Sequence, residues 1–209
     1  DGSGNILLAA LDAATGSLTA TADILSGTGH ITLKAGTNLM LNGGVDVTTS
    51  AAGTISLDAE GGALTMAGDA NVTATDSNAR LAAQGDITLG NVTATNVSVV
   101  SAAGSLVNAA DSSTNVTASN LRLQSQGSLG ASDRHLTTDV TTLSALSSSG
   151  SIYITEANGI TVDAVSVSVT EFNANASTTE VEDTAQSDLT TGVGSNGNIV
   201  LVATAGAIT

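Results

Sequence analysis

The sequence predicts an all-β fold, a right-handed parallel β-helix with about three short strands per coil, and three observations predict it. The 209 residues contain no Pro, Cys or Trp, and Tyr153 and Phe172 are the only aromatics. Short runs of alternating apolar residues begin again and again at a glycine. Those glycines recur at a near-constant spacing.

The composition excludes a compact globule, whose core normally draws on several large rings. It also excludes a disordered chain, because 41% of residues are apolar and Val, Ile, Leu and Ala abound. A narrow aliphatic core is what remains. Nineteen acidic residues against four basic ones give a net charge of -15, which repels phosphate backbones and anionic bilayers. Nucleic acid is therefore not an expected partner. No run approaches the roughly 18 uninterrupted apolar residues of a membrane-spanning helix, so membrane insertion is not expected either. The chain begins at Asp1 without an initiator Met or a leader pattern, which suggests a piece of a longer protein with any signal peptide outside it.

The strands read as follows. Gly29-His30-Ile31-Thr32-Leu33, Gly53-Thr54-Ile55-Ser56-Leu57, Gly85-Asp86-Ile87-Thr88-Leu89, Gly150-Ser151-Ile152-Tyr153-Ile154 and Gly197-Asn198-Ile199-Val200-Leu201 each place apolar residues two and four positions after a glycine. That is a turn followed by a half-buried strand. Shorter forms stand at Gly104 and Gly127, and the intervals from Gly29 to Gly53, Gly104 to Gly127 and Gly127 to Gly150 are 24, 23 and 23 residues. Such a period marks a solenoid. Further short strands lie between the glycines, at Leu39-Met40-Leu41, Val45-Asp46-Val47, Leu64-Thr65-Met66, Val97-Ser98-Val99 and Leu121-Arg122-Leu123. Each strand should have one face inside and one face wet, with Gly, Asn and Asp at the corners. Ile31, Leu33, Ile55, Leu57, Ile87, Leu89, Ile152 and Ile154 are expected to point inward.

A longer echo relates Gly4-Asn5-Ile6 and Gly16-Ser17-Leu18 to Gly197-Asn198-Ile199 and Gly206-Ala207-Ile208. It suggests that residues 1–209 form a single solenoid segment, about one copy of a tandem repeat of roughly 190 residues. Copies would then meet head to tail, either covalently or as stacked subunits of a filament.

From Val169 to Gly197 the pattern breaks, and acidic residues gather without a base. An acidic loop or irregular coil is expected over 170–196. Glu180, Glu182, Asp183 and Asp188 are weak candidate ligands for Ca²⁺, which takes oxygen donors, although no EF-hand or nonapeptide calcium spacing is present. No other cofactor is expected.

Chemistry is otherwise sparse. The Asn-x-Ser/Thr triplets at Asn71, Asn91, Asn96, Asn115 and Asn175 match the glycan-acceptor pattern, but they are also what a corner entering a strand should contain. His30 and His135 are far apart, and Asp133-Arg134-His135 reads as a surface turn. Without a Gly-x-Ser-x-Gly elbow, no hydrolytic triad is expected. A carbohydrate-binding or carbohydrate-cleaving β-helix is the alternative. Cleavage needs paired carboxylates or a base with a cation for acidic sugars, and only Lys34, Arg80, Arg122 and Arg134 are basic. The expectation is a chain that is not an enzyme and has no catalytic residues.

The stretch Leu129 to Val162, LGASDRHLTTDVTTLSALSSSGSIYITEANGITV, resembles the filamentous-haemagglutinin-like repeats of giant bacterial exoproteins and two-partner-secretion adhesins. It carries the same order of a Leu-Gly pair, spaced Leu and Val positions, and two glycine-started strands. The GNI and GDITL strands elsewhere fit the same pattern. The resemblance implies a right-handed parallel β-helix that is exported across the outer membrane to the cell surface or beyond. There it would serve as a structural rod or fibre that attaches to a host, cell or surface receptor.

Overall fold

The computed structural model describes residues 2–110, 113–192, 194 and 196–209. Every regular element among them is a β-strand. The chain winds as a parallel β-helix of three faces.

On the first face, Ile6, Ile31, Ile55, Ala79, Val97, Leu121 and Leu143 stack in one register column, all strands parallel. The second face stacks Leu18–Ala20, Leu39–Leu41, Leu64–Met66, Ile87–Leu89 and Leu106–Asn108, and it continues through Leu129 and Ile152 to Ile199. The third face begins with Ile24–Leu25 and Asp46–Thr49 and continues in the leading halves of longer strands such as Asn71–Ala83 and Asn91–Ser101. These longer strands bend from the third face to the first without a break in the chain. The ladder shifts register between Ala94 and Asn96, and Asp76, with φ of 58°, makes the corresponding corner one coil earlier.

Alternation predicts the interior correctly. Ile31, Leu33, Ile55, Leu57, Ile87, Leu89, Ile152 and Ile154 are all 0% exposed, and each such burial stabilises the fold by roughly 1.5–3 kcal/mol. Polar ladders hold the corners. Asn120 Nδ2 donates to Asn96 Oδ1 at 2.6 Å, and Asn96 Nδ2 donates to Asn78 Oδ1 at 2.7 Å. A hydroxyl just before a turn glycine also recurs. Ser101 and Ser147 accept the N–H of Gly104 and Gly150 at 3.0 Å and donate to Gly85 and Gly127 carbonyls.

The glycine-started strands divide between two faces, and two expectations need correction. Those after Gly29 and Gly53 lie on the first face, whereas those after Gly85, Gly104, Gly127, Gly150 and Gly197 lie on the second. Glycine is wanted at more than one corner because the coils pass close there. A Cβ on Gly53 would meet the Gly29 carbonyl, and one on Gly197 the Gly150 carbonyl. The echo between Ile6 and Ile199 accordingly joins strands of different faces.

The acidic span is not a loop. Val165–Phe172 and Thr178–Gln186 form an antiparallel hairpin. Within 170–196, Val193 and Ser195 lie outside the described residues. The alternation of Val165, Val167 and Val169 continues into Glu171, and that period of two makes a strand whatever the charge of its exposed face.

Finally, the outer side of the first face is not wet. Thr32, Ser56, Ser98 and Ser144, which alternation turns outward, are all 0% exposed, because the hairpin lies over them.

Candidate functional site: the hairpin clamp and an open recess

The hairpin leaves the last coil in mid-strand. Val162 pairs with Leu143, and the chain rejoins the same face at Leu189, paired with Ala145. Between these points it runs back along the rod. Ser168 accepts from Asn78 Nδ2 at 2.8 Å. Thr170 exchanges two hydrogen bonds with Thr54 Oγ1, at 2.8 and 2.9 Å, and Phe172 N donates to Thr32 Oγ1 at 2.8 Å. Eight residues of strand cover about 26 Å, or roughly five coil spacings, so one hairpin strand ties together coils that otherwise touch only their neighbours.

The docking face carries most of the chain's positive charge. Thr32, Ser56, Arg80, Ser98, Arg122 and Ser144 form one outward column, small hydroxyls alternating with two arginines. Lys34 Nζ lies 2.7 Å from Glu171 Oε2, and Glu171 Oε1 accepts from Ser56 Oγ at 2.8 Å. Arg80 Nε donates to Asp183 Oδ2 at 3.0 Å. Arg122 Nε donates to the Thr184 carbonyl at 3.0 Å. Burial is the main influence on Arg122 and lowers its pKa, with Asp183 opposing that shift. The Nη1 of Arg122, Ser98 Oγ and Gln186 Oε1 are buried with no hydrogen-bond partner among the described residues, so the far end of the clamp is less completely satisfied than the end at Glu171.

This geometry separates the calcium candidates. Glu180 and Glu182 are exposed on the outer side of the hairpin, Asp183 turns inward to Arg80, and Asp188 lies beyond the strand with φ of 67°. Among the described residues no group of three or more acidic or histidine side chains is placed to hold a metal ion. Glu171, which joins the hairpin to Lys34 and Ser56, is buried at 4% exposure and was not distinguished in the sequence from its exposed neighbours. Its place in the V-x-V-x-V-x-E alternation was the available signal.

The Asn-x-Ser/Thr sites differ in role. Asn115 is 0% exposed and donates to the Leu89 carbonyl at 2.9 Å, acting as an internal corner bond. Asn71 and Asn96 are engaged in side-chain ladders. Asn175 sits exposed in the hairpin turn, accepting from Ser177.

A second feature lies on the second face. At Leu129 the strand shrinks to single bridges, Gly130 takes φ of +71°, and residues 131–134 form a tight turn closed by reciprocal backbone bonds between Ala131 and Arg134. The turn stands out beside an open recess of about 640 Å³, whose lining includes Ser105, Ser128, Asp133, Arg134 and Tyr153. Asp133-Arg134-His135 is thus a surface turn, as expected, but one that walls a concavity. The Tyr153 ring lies 5.6 Å from that of His135, tilted by 35°. Hydrogen bonding by Asn198, and secondarily by Ser151, holds the Tyr153 pKa below the ordinary phenol value. His135 in turn shares a 2.9 Å hydrogen bond with Thr155 Oγ1. No family model, no curated protein and no solved structure matches this chain.

Proposed function

We propose that the chain is a structural rod segment of a secreted bacterial surface adhesin or extracellular filament, holding an attachment surface away from the cell. The observation that carries the reading is the register. The same inward columns repeat coil after coil on all three faces, so extension requires only more coils, at about 4.8 Å each. The hairpin along the rod axis adds resistance to coils separating. Resemblance to filamentous-haemagglutinin-like repeats supports the bacterial, exported setting.

Apolar side chains remain exposed at both ends, including Leu8 and Leu25 at one and Ile199 and Val202 at the other. In this reading they meet adjoining coils, of the same chain or of another copy head to tail. The chain is then neither an enzyme nor dependent on a cofactor. Labelling intact cells with antibody to residues 1–209, followed by electron microscopy, tests the proposal. Label along fibres outside the outer membrane supports it, and label confined to the cell interior overturns it. The carbohydrate-binding alternative is favoured by one feature, the recess at Tyr153.

A further inference from the structure

We infer that the recess beside Tyr153 binds a carboxylated sugar ring of a surface glycan. The inference deepens the attachment reading by naming what the rod would hold.

The distribution of positive charge points to the ligand's charge. Of four basic residues in a chain of net charge -15, Lys34 and Arg80 are spent on Glu171 and Asp183, and Arg122 on the Thr184 carbonyl. Arg134 alone among them makes no side-chain hydrogen bond or ion pair among the described residues. It stands exposed on the wall of the recess. A guanidinium offers a planar pair of donors that fits a carboxylate in a bidentate manner, and elsewhere the acidic surface disfavours anions.

The remaining lining points to a sugar. Tyr153 is the only tyrosine, and its ring lies 5.6 Å from that of His135, tilted by 35°, while His135 is itself hydrogen-bonded to Thr155 Oγ1 at 2.9 Å. That packing sets the ring before any ligand arrives, with an apolar face to set against the C–H face of a pyranose. Ser105 Oγ and Ser128 Oγ each accept a backbone N–H at 3.1 Å and keep their own protons to donate to ring oxygens, while the Asp133 carboxylate can accept only from ring hydroxyls turned away from the ligand's own carboxylate, which Arg134 takes. A volume of about 640 Å³ falls within the usual range for small-ligand sites. An acidic peptide would instead seek a strand edge or apolar side-chain pockets, and the strand here is interrupted at Leu129.

Tyr153 also provides the assay, since a chain with one tyrosine and no tryptophan reports through its tyrosine emission on this recess alone. Trigalacturonic acid should change that emission saturably, and calorimetry should give the same affinity. Arg134→Gln should weaken binding at least tenfold, and the methyl-esterified trimer should bind the unaltered chain more weakly by a similar factor. Tyr153→Leu should weaken binding at least fivefold by calorimetry, while Tyr153→Phe retains it. Circular dichroism verifies that each variant is folded, and Arg134 is exposed, so the rod should survive its replacement. No saturable response by either method, unchanged affinity of Arg134→Gln or of the ester, or equal affinity for tetraglutamate would overturn the inference. None of these outcomes bears on where the parent protein is found, so the rod proposal fails or stands by its own test.

Discussion

Glu171 Oε2 lies 2.7 Å from Lys34 Nζ, although Glu171 belongs to the hairpin and Lys34 to the second coil of the rod. The Glu171 side chain is 5% exposed and that of Lys34 24%, so water screens the pair mainly from the lysine side. Removing the charge from one partner leaves the other poorly solvated. Glu171→Gln should therefore destabilise hairpin docking by about 1–2 kcal/mol, less than a fully buried pair would lose because Lys34 keeps some water. Hydrogen exchange would show it as faster exchange across 165–186 with the rod strands unchanged. The double change Lys34→Met with Glu171→Leu should recover most of the loss.

Inside the rod, a substitution should act on the whole stack. Leu57 is 0% exposed between Leu33 and Leu81 in register, and Leu57→Ala should cost about 2–5 kcal/mol. Leu8 is 41% exposed, and its replacement by Ala should cost well under about 1 kcal/mol by the area it buries. Gly104→Ala should also be severe, since the added methyl would strike the backbone of Gly85 and Asp86, whereas Gly4→Ala meets open space. Urea midpoints for the four variants measure the contrast.

A pH dependence follows from His30. Burial lowers its pKa below the ordinary value of about 6.5, and Nδ1 accepts the Thr54 N–H at 3.1 Å, which only the neutral ring can do. With the folded pKa below the unfolded one, this contribution is complete above about pH 6.5 and is lost as pH falls through the folded value. Asp58 acts in the opposite sense. Burial raises its pKa, opposed by Arg80 and Lys34, so its contribution is present in acid and is lost as pH rises through that raised value. The melting temperature should fall between pH 7.5 and 5.5, and His30→Asn should flatten that fall. An unchanged slope in His30→Asn would remove His30 as its cause.

The interior of the rod was legible in the sequence because burial alternates with a period of two, and Ile31, Leu33, Ile87 and Leu89 follow it strictly. Which face a strand joins was not legible. Gly53 and Gly85 precede near-identical text but serve different corners, and only the stacking distinguishes them. The hairpin was hidden by charge. Glu180 and Glu182 suggested a solvated loop, yet they occupy only its outer side, while Val165, Val167, Val169 and Glu171 seat its inner one. The recess was visible only as the cluster Asp133-Arg134-His135, because its other wall comes from Tyr153 one coil away.

The hairpin also predicts its own removability. The final register, Ile152 to Ile199, spans 47 residues, against 22 for Leu121 to Leu143. The excess is the excursion between Val162 and Leu189, which pair with Leu143 and Ala145 and so stand where one residue opposite Ser144 would separate them. Replacing residues 163–188 by a single Thr should restore an unbroken strand and a period of 22 residues. The shortened chain should keep its parallel β-helix, with unchanged exchange protection at Ile55, Leu57, Ile87 and Leu89. It should unfold at lower urea, because Thr32, Ser56, Ser98 and Ser144 become wet and the separate coils lose their common tie. Loss of the rod itself would show that the hairpin is part of the fold's core and not a clamp laid over it. In a force-extension measurement the shortened rod should release its coils at lower force than the intact one, since Glu171, Thr170 and Asp183 no longer bridge coils across the first face.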